Sequence, residues 1–309
     1  MEGIKKPVII REVWEGNLEL EFSLIRMSVK SHPFITIDTE FPGTVVPDVK
    51  NRKFYDLKPD ETYSLMKANV DASKLIQLGI TMCDQYGNLP GFGSGACFVW
   101  QFNFREFDVE KDLQNVSSIE LLKQHGIDFS ANKMYGVRSK DFARLFRGCF
   151  GPNCTWVTFH GGCDFAYLIK ALTNSDLPRD LGTFRNLLSH YFGNSMYDVK
   201  AMMEPFRFRG GLESLAECFN LVRVAGKSHE AGSDSLLTMQ LFMKVKQWCL
   251  YRRYATVLRP CMPYDNSKSR SRTFPADPTP GSGVAAVRTL QNNTGGGFGP
   301  WRRLRRENK

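Results

Sequence analysis

A proline at position 33 divides two hydrophobic periodicities that cannot share one element. Before it, Leu18, Phe22, Ile25 and Val29 fall at i, i+4, i+7 and i+11, one apolar stripe of a helix ending near Lys30. After it, FITIDTEF (34–41) is β-branched and aromatic, which predicts a strand. The proline ring pushes the preceding residue out of helical geometry, so the switch falls there. A helix feeding a strand this early points to mixed α/β construction.

The alternation continues along the chain. KLIQLGITMC (74–83) and ACFVWQFNF (96–104) are strand patterns, and the Gly- and Pro-rich DQYGNLPGFGSG between them predicts a hairpin. Ser117 as cap and Glu120 three residues later spell a capping box, with Gly126 as the stop. A short helix over 139–146 is next, and then the strand TWVTFHG (155–161). That strand passes into a helix beginning near Asp164, where Phe165, Leu168, Ile169 and Leu172 share a stripe. A helix after Asp180 is stopped by Gly193, and a short strand lies at Met196–Tyr197. Helices near 199–204 and 212–219 precede a last helix from about Ser235 to Tyr251. With no internal repeat or long linker, residues 1–264 are expected to form one domain.

Charge sets that domain apart from the C-terminal tail. The 309-residue chain carries a formal +9, of which residues 265–309 hold +6 among Pro-, Gly- and Asn-rich segments. This tail is expected to be disordered. Its end, WRRLRRENK, could contact RNA phosphates, act in nuclear import, or be a solvated tail without a fixed partner. No apolar run is long enough to span a membrane, and the charged N-terminus lacks the pattern of a secretory leader, so a cytoplasmic and nuclear location is expected. The eight cysteines form no CxxC pair. Cys149, Cys154 and Cys163 near His160 fit either a metal site or buried reduced thiols.

The chemistry sits in the acids. On a strand, Phe34, Thr36, Asp38 and Glu40 share one face, so the two carboxylates are neighbours with Cα atoms roughly 6.5–7 Å apart. Two anions flanked by apolar residues repel each other and lose hydration, and a divalent cation relieves both penalties. The same pattern also fits a solvated strand edge. Asp164 comes after the Gly161-Gly162 turn into a helix, and Asp234 after Ala231-Gly232-Ser233 into another, so helix amides favour each anion. His229, five residues before Asp234 on a Gly-containing loop, is a candidate base.

D-x-E on the first strand, Asp after a strand–Gly turn, and H-x-x-x-x-D before the last helix resemble the DEDDh branch of the DEDD exonucleases. The blocks FITIDTEFPGTV, NVDASKLIQLGITMCDQYG, WQFNF, SIELLKQHGI, FHGGCDFAYLIKAL, MYDVKAMM, GGLESLAE and HEAGSDSLLT narrow this. In order over most of residues 8–250, they resemble the Caf-type deadenylases, poly(A)-shortening nuclease subunits of the carbon catabolite repression–NOT complex. The resemblance implies a ribonuclease H-like fold, a mixed five-stranded sheet flanked by helices. It implies metal ligands at Asp38, Glu40, Asp164 and Asp234, and His229 as general base. Asp38 would bridge two divalent ions, Mg²⁺ or Mn²⁺, with Glu40 and Asp234 completing one site and Asp164 serving the other.

The implied reaction is 3′→5′ hydrolysis of the poly(A) tail of mRNA, releasing 5′-AMP. The implied partners are a scaffold NOT subunit and a second nuclease subunit. Two other functions fit the same blocks: a broader exonuclease on other RNA or single-stranded DNA, and an interaction subunit that bridges scaffold and nuclease. The intact acidic set speaks against bridging alone. Departures from the family pattern lie in the FGSGACF loop, the Cys-containing 149–154 stretch and the basic tail.

Overall fold

The computed structural model describes residues 6–48, 57–208 and 210–258. The expected basic tail, 265–309, lies outside the described residues. The strands are β1 (Val8–Val13), β2 (Phe34–Glu40), β3 (Gln77–Cys83), β4 (Cys97–Asn103), β5 (Thr155–Thr158) and β6 (Met196–Asp198). The helices are α1 (Leu18–Val29), α2 (Pro59–Ala72), α3 (Val116–Gln124), α4 (Phe129–Tyr135), α5 (Ser139–Phe146), α6 (Gly162–Thr173), α7 (Leu181–Phe192), α8 (Val199–Met203), α9 (Leu212–Cys218) and α10 (Ala231–Leu258).

The six strands form one mixed sheet in the order β1-β4-β3-β2-β5-β6. β3 runs antiparallel to both β2 and β4, while β5 and β6 continue the other side parallel to β2. This is the expected ribonuclease H-like arrangement with one strand more than five. The added strand, β1, pairs parallel with β4 from Val8↔Cys97 to Val13↔Phe102. Its charges hide it in the sequence, and both are partnered here. Arg11 forms a bidentate pair with Glu21 at 2.6 and 2.7 Å, and Glu12 accepts from Gln101 and Asn103.

Helices cover both faces, but β2 and β3 are apolar on one face only; the other carries Thr36, Asp38, Glu40, Gln77, Gly79 and Thr81. Ile35, Ile37, Leu78, Ile80 and Met82 belong to the larger core with residues of α1, α2, α5, α6 and α7. Aromatic contacts thread this core, from Phe22–Phe102 through Phe142 and Phe146 to Trp156 and Phe192. The opposite face carries α10, with Val157, Val199, Met203, Leu215, Leu241, Phe242 and Val245 buried together. A third cluster, including Ile76, Phe107, Ile119 and Leu122, seats α3 and α4 beside the sheet.

Several boundaries differ from the sequence expectation. The cap of α3 is Asn115, whose side chain accepts from the Ser118 amide at 3.1 Å, so Ser117 lies inside the helix. The asparagine carboxamide, among the best N-cap groups, thus starts the helix two residues before the expected capping box. Helix α10 starts at Ala231 rather than near Ser235, which places Asp234 in its first turn. Helices α2 and α4 and strand β1 have no counterpart in the sequence expectation.

The start of α10 reaches the sheet because β3 carries no side chain where they cross. A Cβ built on Gly79 would lie 1.8 Å from the Ala231 carbonyl oxygen and 2.7 Å from the Gly232 nitrogen. Gly79 is also the register partner of Asp38. Around this crossing, Thr36 Oγ1 donates to the Ser235 carbonyl at 2.7 Å, Thr81 Oγ1 and Ser235 Oγ share a hydrogen at 2.9 Å, and the Gly232 amide donates to Gln101 Oε1 at 2.8 Å.

Gly79→Ala must therefore displace helix backbone rather than a pliable side chain. It is expected to lower stability by about 1–3 kcal/mol. Urea unfolding checks this through a lower midpoint at unchanged m-value.

Candidate active site

Four acids from three parts of the chain meet at the end of β2. Strand alternation sets Asp38 and Glu40 on the face that α10 covers, beside Thr36. Asp164 enters from the first turn of α6 and Asp234 from the first turn of α10. Asp164 and Asp234 are 7% and 8% exposed, whereas Asp38 and Glu40 are half-buried. One ligand atom each from Glu40, His229 and Asp234 lie within 4.8 Å of one another.

Each carboxylate is held by specific partners. Asp164 Oδ1 accepts from the Thr39 amide at 2.8 Å and from Thr39 Oγ1 at 2.5 Å, which fixes the group and leaves Oδ2 directed elsewhere. The turn that carries Asp164 is pinned by Asp198, whose carboxylate accepts from the amides of His160 and Gly161 at 3.0 and 2.9 Å. Asp234 Oδ2 accepts from the His229 amide at 3.0 Å, tying the base candidate to the ligand candidate. Asp234 Oδ1 forms an ion pair with Arg223 Nη2 at 2.6 Å, although no donor is aligned on it for a hydrogen bond. Arg223 also pairs with Glu213 and donates to Ser233 Oγ at 2.6 Å. His229 sits in the left-handed region at φ +59°, a conformation that costs a non-glycine residue energy and is common at functional sites.

The electrostatics are unbalanced. Burial, reinforced by the anions of Asp164, Asp234 and Glu40, raises the Asp38 carboxyl well above the ordinary range. Burial and the Asp234 and Asp164 charges push Glu40 up to about 8. Burial pushes Asp164 up to about 7 against the lowering effect of its Thr39 bonds. Burial also raises Asp234, opposed by Arg223 and the His229 amide. Among the described residues, the Arg223 guanidinium, shared with Glu213, does not neutralise four carboxylates. An all-oxygen set of four carboxylates with excess negative charge fits hard divalent cations.

The structure thus brings together Asp38, Glu40, Asp164, Asp234 and His229. The cysteine group does not make a rival metal site. Cys149 and Cys154 are buried in the larger core, and burial pushes the thiols of Cys149 and Cys163 up to about 12. Among the described residues, Glu40, His229 and Asp234 are the His/Cys/Asp/Glu group whose ligand atoms converge. Sequence reasoning passes over Arg223, Thr39, Asp198 and Gly79. Their roles exist only as contacts between distant segments, and a lone Arg, Thr, Asp or Gly carries no periodic signal. Phe41 packs against Tyr167, ring centroids 4.7 Å apart and nearly parallel.

Known proteins match this chain over the same blocks. A model described as CAF1 family ribonuclease matches residues 13–142 and 138–242. An Arabidopsis thaliana protein named "Probable CCR4-associated factor 1 homolog 7" is 46% identical over 243 residues, 77% of this chain and 86% of that protein. The Schizosaccharomyces pombe protein named Poly(A) ribonuclease pop2 is 39% identical over 251 residues, covering 80% of this chain and 72% of that one. A solved structure of S. pombe Pop2p in its Mg²⁺- and Mn²⁺-bound form matches with a TM-score of 0.70 over 77% of this chain and 92% of that chain, at 39% identity. A yeast CAF1 structure, co-crystallised with the NOT1 MIF4G domain, matches with a TM-score of 0.63 over 78% of this chain and 90% of that one, at 31% identity.

The raised carboxyls set the pH dependence of the metal-free protein. Carboxylates of an unfolded chain titrate near 4, whereas burial and the neighbouring anions push Glu40 here up to about 8. Between those values the folded state binds more protons, so this contribution to stability is present at low pH and is lost as pH rises through the folded value. The melting temperature of chelator-treated protein should fall from about pH 5 to about pH 8. Glu40→Gln, which mimics the protonated acid, should flatten the slope and raise the melting temperature at the upper end. Added Mn²⁺ should stabilise the native protein most at high pH, where no proton has to be displaced. A pH slope indifferent to Glu40→Gln would contradict this crowding of charge.

Proposed function

The chain belongs to the CAF1 family of ribonucleases, and from that membership together with the convergent acids we propose that it shortens mRNA poly(A) tails as a 3′→5′ exoribonuclease releasing 5′-AMP. The observation that carries this reading is the meeting of Asp38, Glu40, Asp164 and Asp234 beside His229. Those four carboxylates would hold two divalent ions, Mg²⁺ or Mn²⁺, the metals of the Pop2p structure. When bound, such ions activate water and stabilise the leaving oxygen of a phosphodiester.

The chain's own residues do the rest. Thr39 keeps Asp164 from rotating by occupying Oδ1 with two donors. Arg223 and the His229 amide orient Asp234 from opposite oxygens. The His229 imidazole takes the proton of the attacking water at a ring nitrogen. The 3′-oxygen of the penultimate nucleotide leaves in line with the attack, and the freed nucleotide departs as 5′-AMP.

The partner reading rests on the yeast relative that was co-crystallised with the NOT1 MIF4G domain. A scaffold NOT subunit is proposed as partner on that support. A second nuclease subunit in the same assembly, and action in both cytoplasm and nucleus, extend the proposal from family membership and from the basic WRRLRRENK end.

On a 5′-labelled, A-tailed RNA, Mg²⁺-dependent shortening with 5′-AMP as product is expected on a denaturing gel. Asp38→Ala should abolish it, and His229→Ala should slow it by roughly 10²–10⁴-fold. A matched DNA oligomer degraded at the same rate would replace the poly(A) assignment with a broader exonuclease. Retained turnover in Asp38→Ala would remove the catalytic one.

A further inference from the structure

The loop that carries His229 holds the backbone but leaves the ring to be oriented by something else. Its amide is committed to Asp234 Oδ2 and its φ is left-handed, yet neither fixes the side-chain torsions. The ring is met by His125 from the far end of α3. The two imidazole centroids are 4.9 Å apart with planes at 74°, an edge-to-face contact.

His125 is itself well anchored. It terminates α3, its amide donating to the Leu121 carbonyl at 3.1 Å, and its Nδ1 lies 2.8 Å from the same carbonyl oxygen. A carbonyl only accepts, so Nδ1 carries a proton and the ring plane is set by the helix end. The helix is seated by Ile119 and Leu122, both buried in the cluster beside the sheet. The next residue, Gly126 at φ +107°, runs alongside the same loop: a Cβ there would stand 3.9 Å from Glu230 Oε1. A fixed ring on a buried-face helix therefore abuts a ring on a strained loop.

We propose that His125 is a positioning residue, holding the His229 imidazole in the orientation that accepts the proton of the attacking water. The proposal rests on the reading of His229 as the base. It assigns α3, an element outside the acidic cluster, to the catalytic geometry. The ring contact carries the effect, so a different aromatic ring at the same place serves nearly as well.

The test is a double-mutant cycle on the full chain with A-tailed RNA and Mg²⁺. His125→Ala is expected to lower kcat about three- to tenfold, the scale an aromatic pair supports, with KM unchanged. His125→Phe should recover most of the loss. In a His229→Ala background, His125→Ala should cost nothing further. Calorimetric Mn²⁺ affinity should match wild type in His125→Ala, and the His229 side-chain NMR signals should move toward those of a freely rotating imidazole.

The positioning role is overturned by an equal loss in both backgrounds, by a change in KM in place of kcat, by His125→Phe as poor as His125→Ala, or by unmoved His229 signals. If His229→Ala alone leaves kcat intact, the base assignment fails and this proposal falls with it. That outcome is distinct from a necessary His229 with an indifferent His125.

Discussion

The crossing of α10 over β2 and β3 is the contact on which the rest depends. It needs a bare Cα at Gly79, because the Ala231 carbonyl occupies the space a side chain would fill. It is then locked by buried polar bonds from Thr36, Thr81 and Gln101 to the first turn of the helix. Buried donors and acceptors are expensive to leave unmade, so a helix shifted by one residue would strand several of them at once. The arrangement fixes the register of α10 against the sheet more sharply than apolar packing would. Asp234 is one residue before Ser235 in that locked turn, and Asp38 is the partner of Gly79 in the strand below. The juxtaposition of the two acids is a consequence of the lock.

That juxtaposition works against folding. Each of the four acids has its charge opposed by burial, and repulsion from neighbouring anions adds to this at Asp38, Glu40 and Asp164. The opposition is confined to one end of the sheet. On the other face a continuous aromatic core, including Phe22, Phe102, Phe142, Phe146, Trp156 and Phe192, packs away from it. Functional sites that store unfavourable electrostatics sit on scaffolds stable enough to hold them. Here the division runs along β2: Ile35 and Ile37 feed the core, while Asp38 and Glu40 feed the site.

Much of this is legible in the chain itself, and the parts that are not share a cause. Strand β2, the β3–β4 hairpin and α6 are readable because their apolar residues recur with a single period and end at Pro, Gly or Ser. Strand β1 escapes because Arg11 and Glu12 interrupt its apolar run, and only the fold shows Glu21, Gln101 and Asn103 receiving them. Helix α2 escapes because its buried face is sparse, with Tyr63, Met66 and Val70 set among polar residues. The acids and His229 are readable because loop glycines and strand alternation announce them locally. Arg223, Thr39 and His125 are not, since each matters only through a residue brought near by folding.

The bond between Thr36 and the Ser235 carbonyl joins positions 199 residues apart, near opposite ends of the described chain. On a ribosome the sheet strands emerge long before the helix that completes them. Until α10 arrives, Asp38 and Glu40 lie on an uncovered sheet face and lack Asp234 and His229 altogether. The cluster of acids is therefore completed last, when the closing helix docks across the sheet.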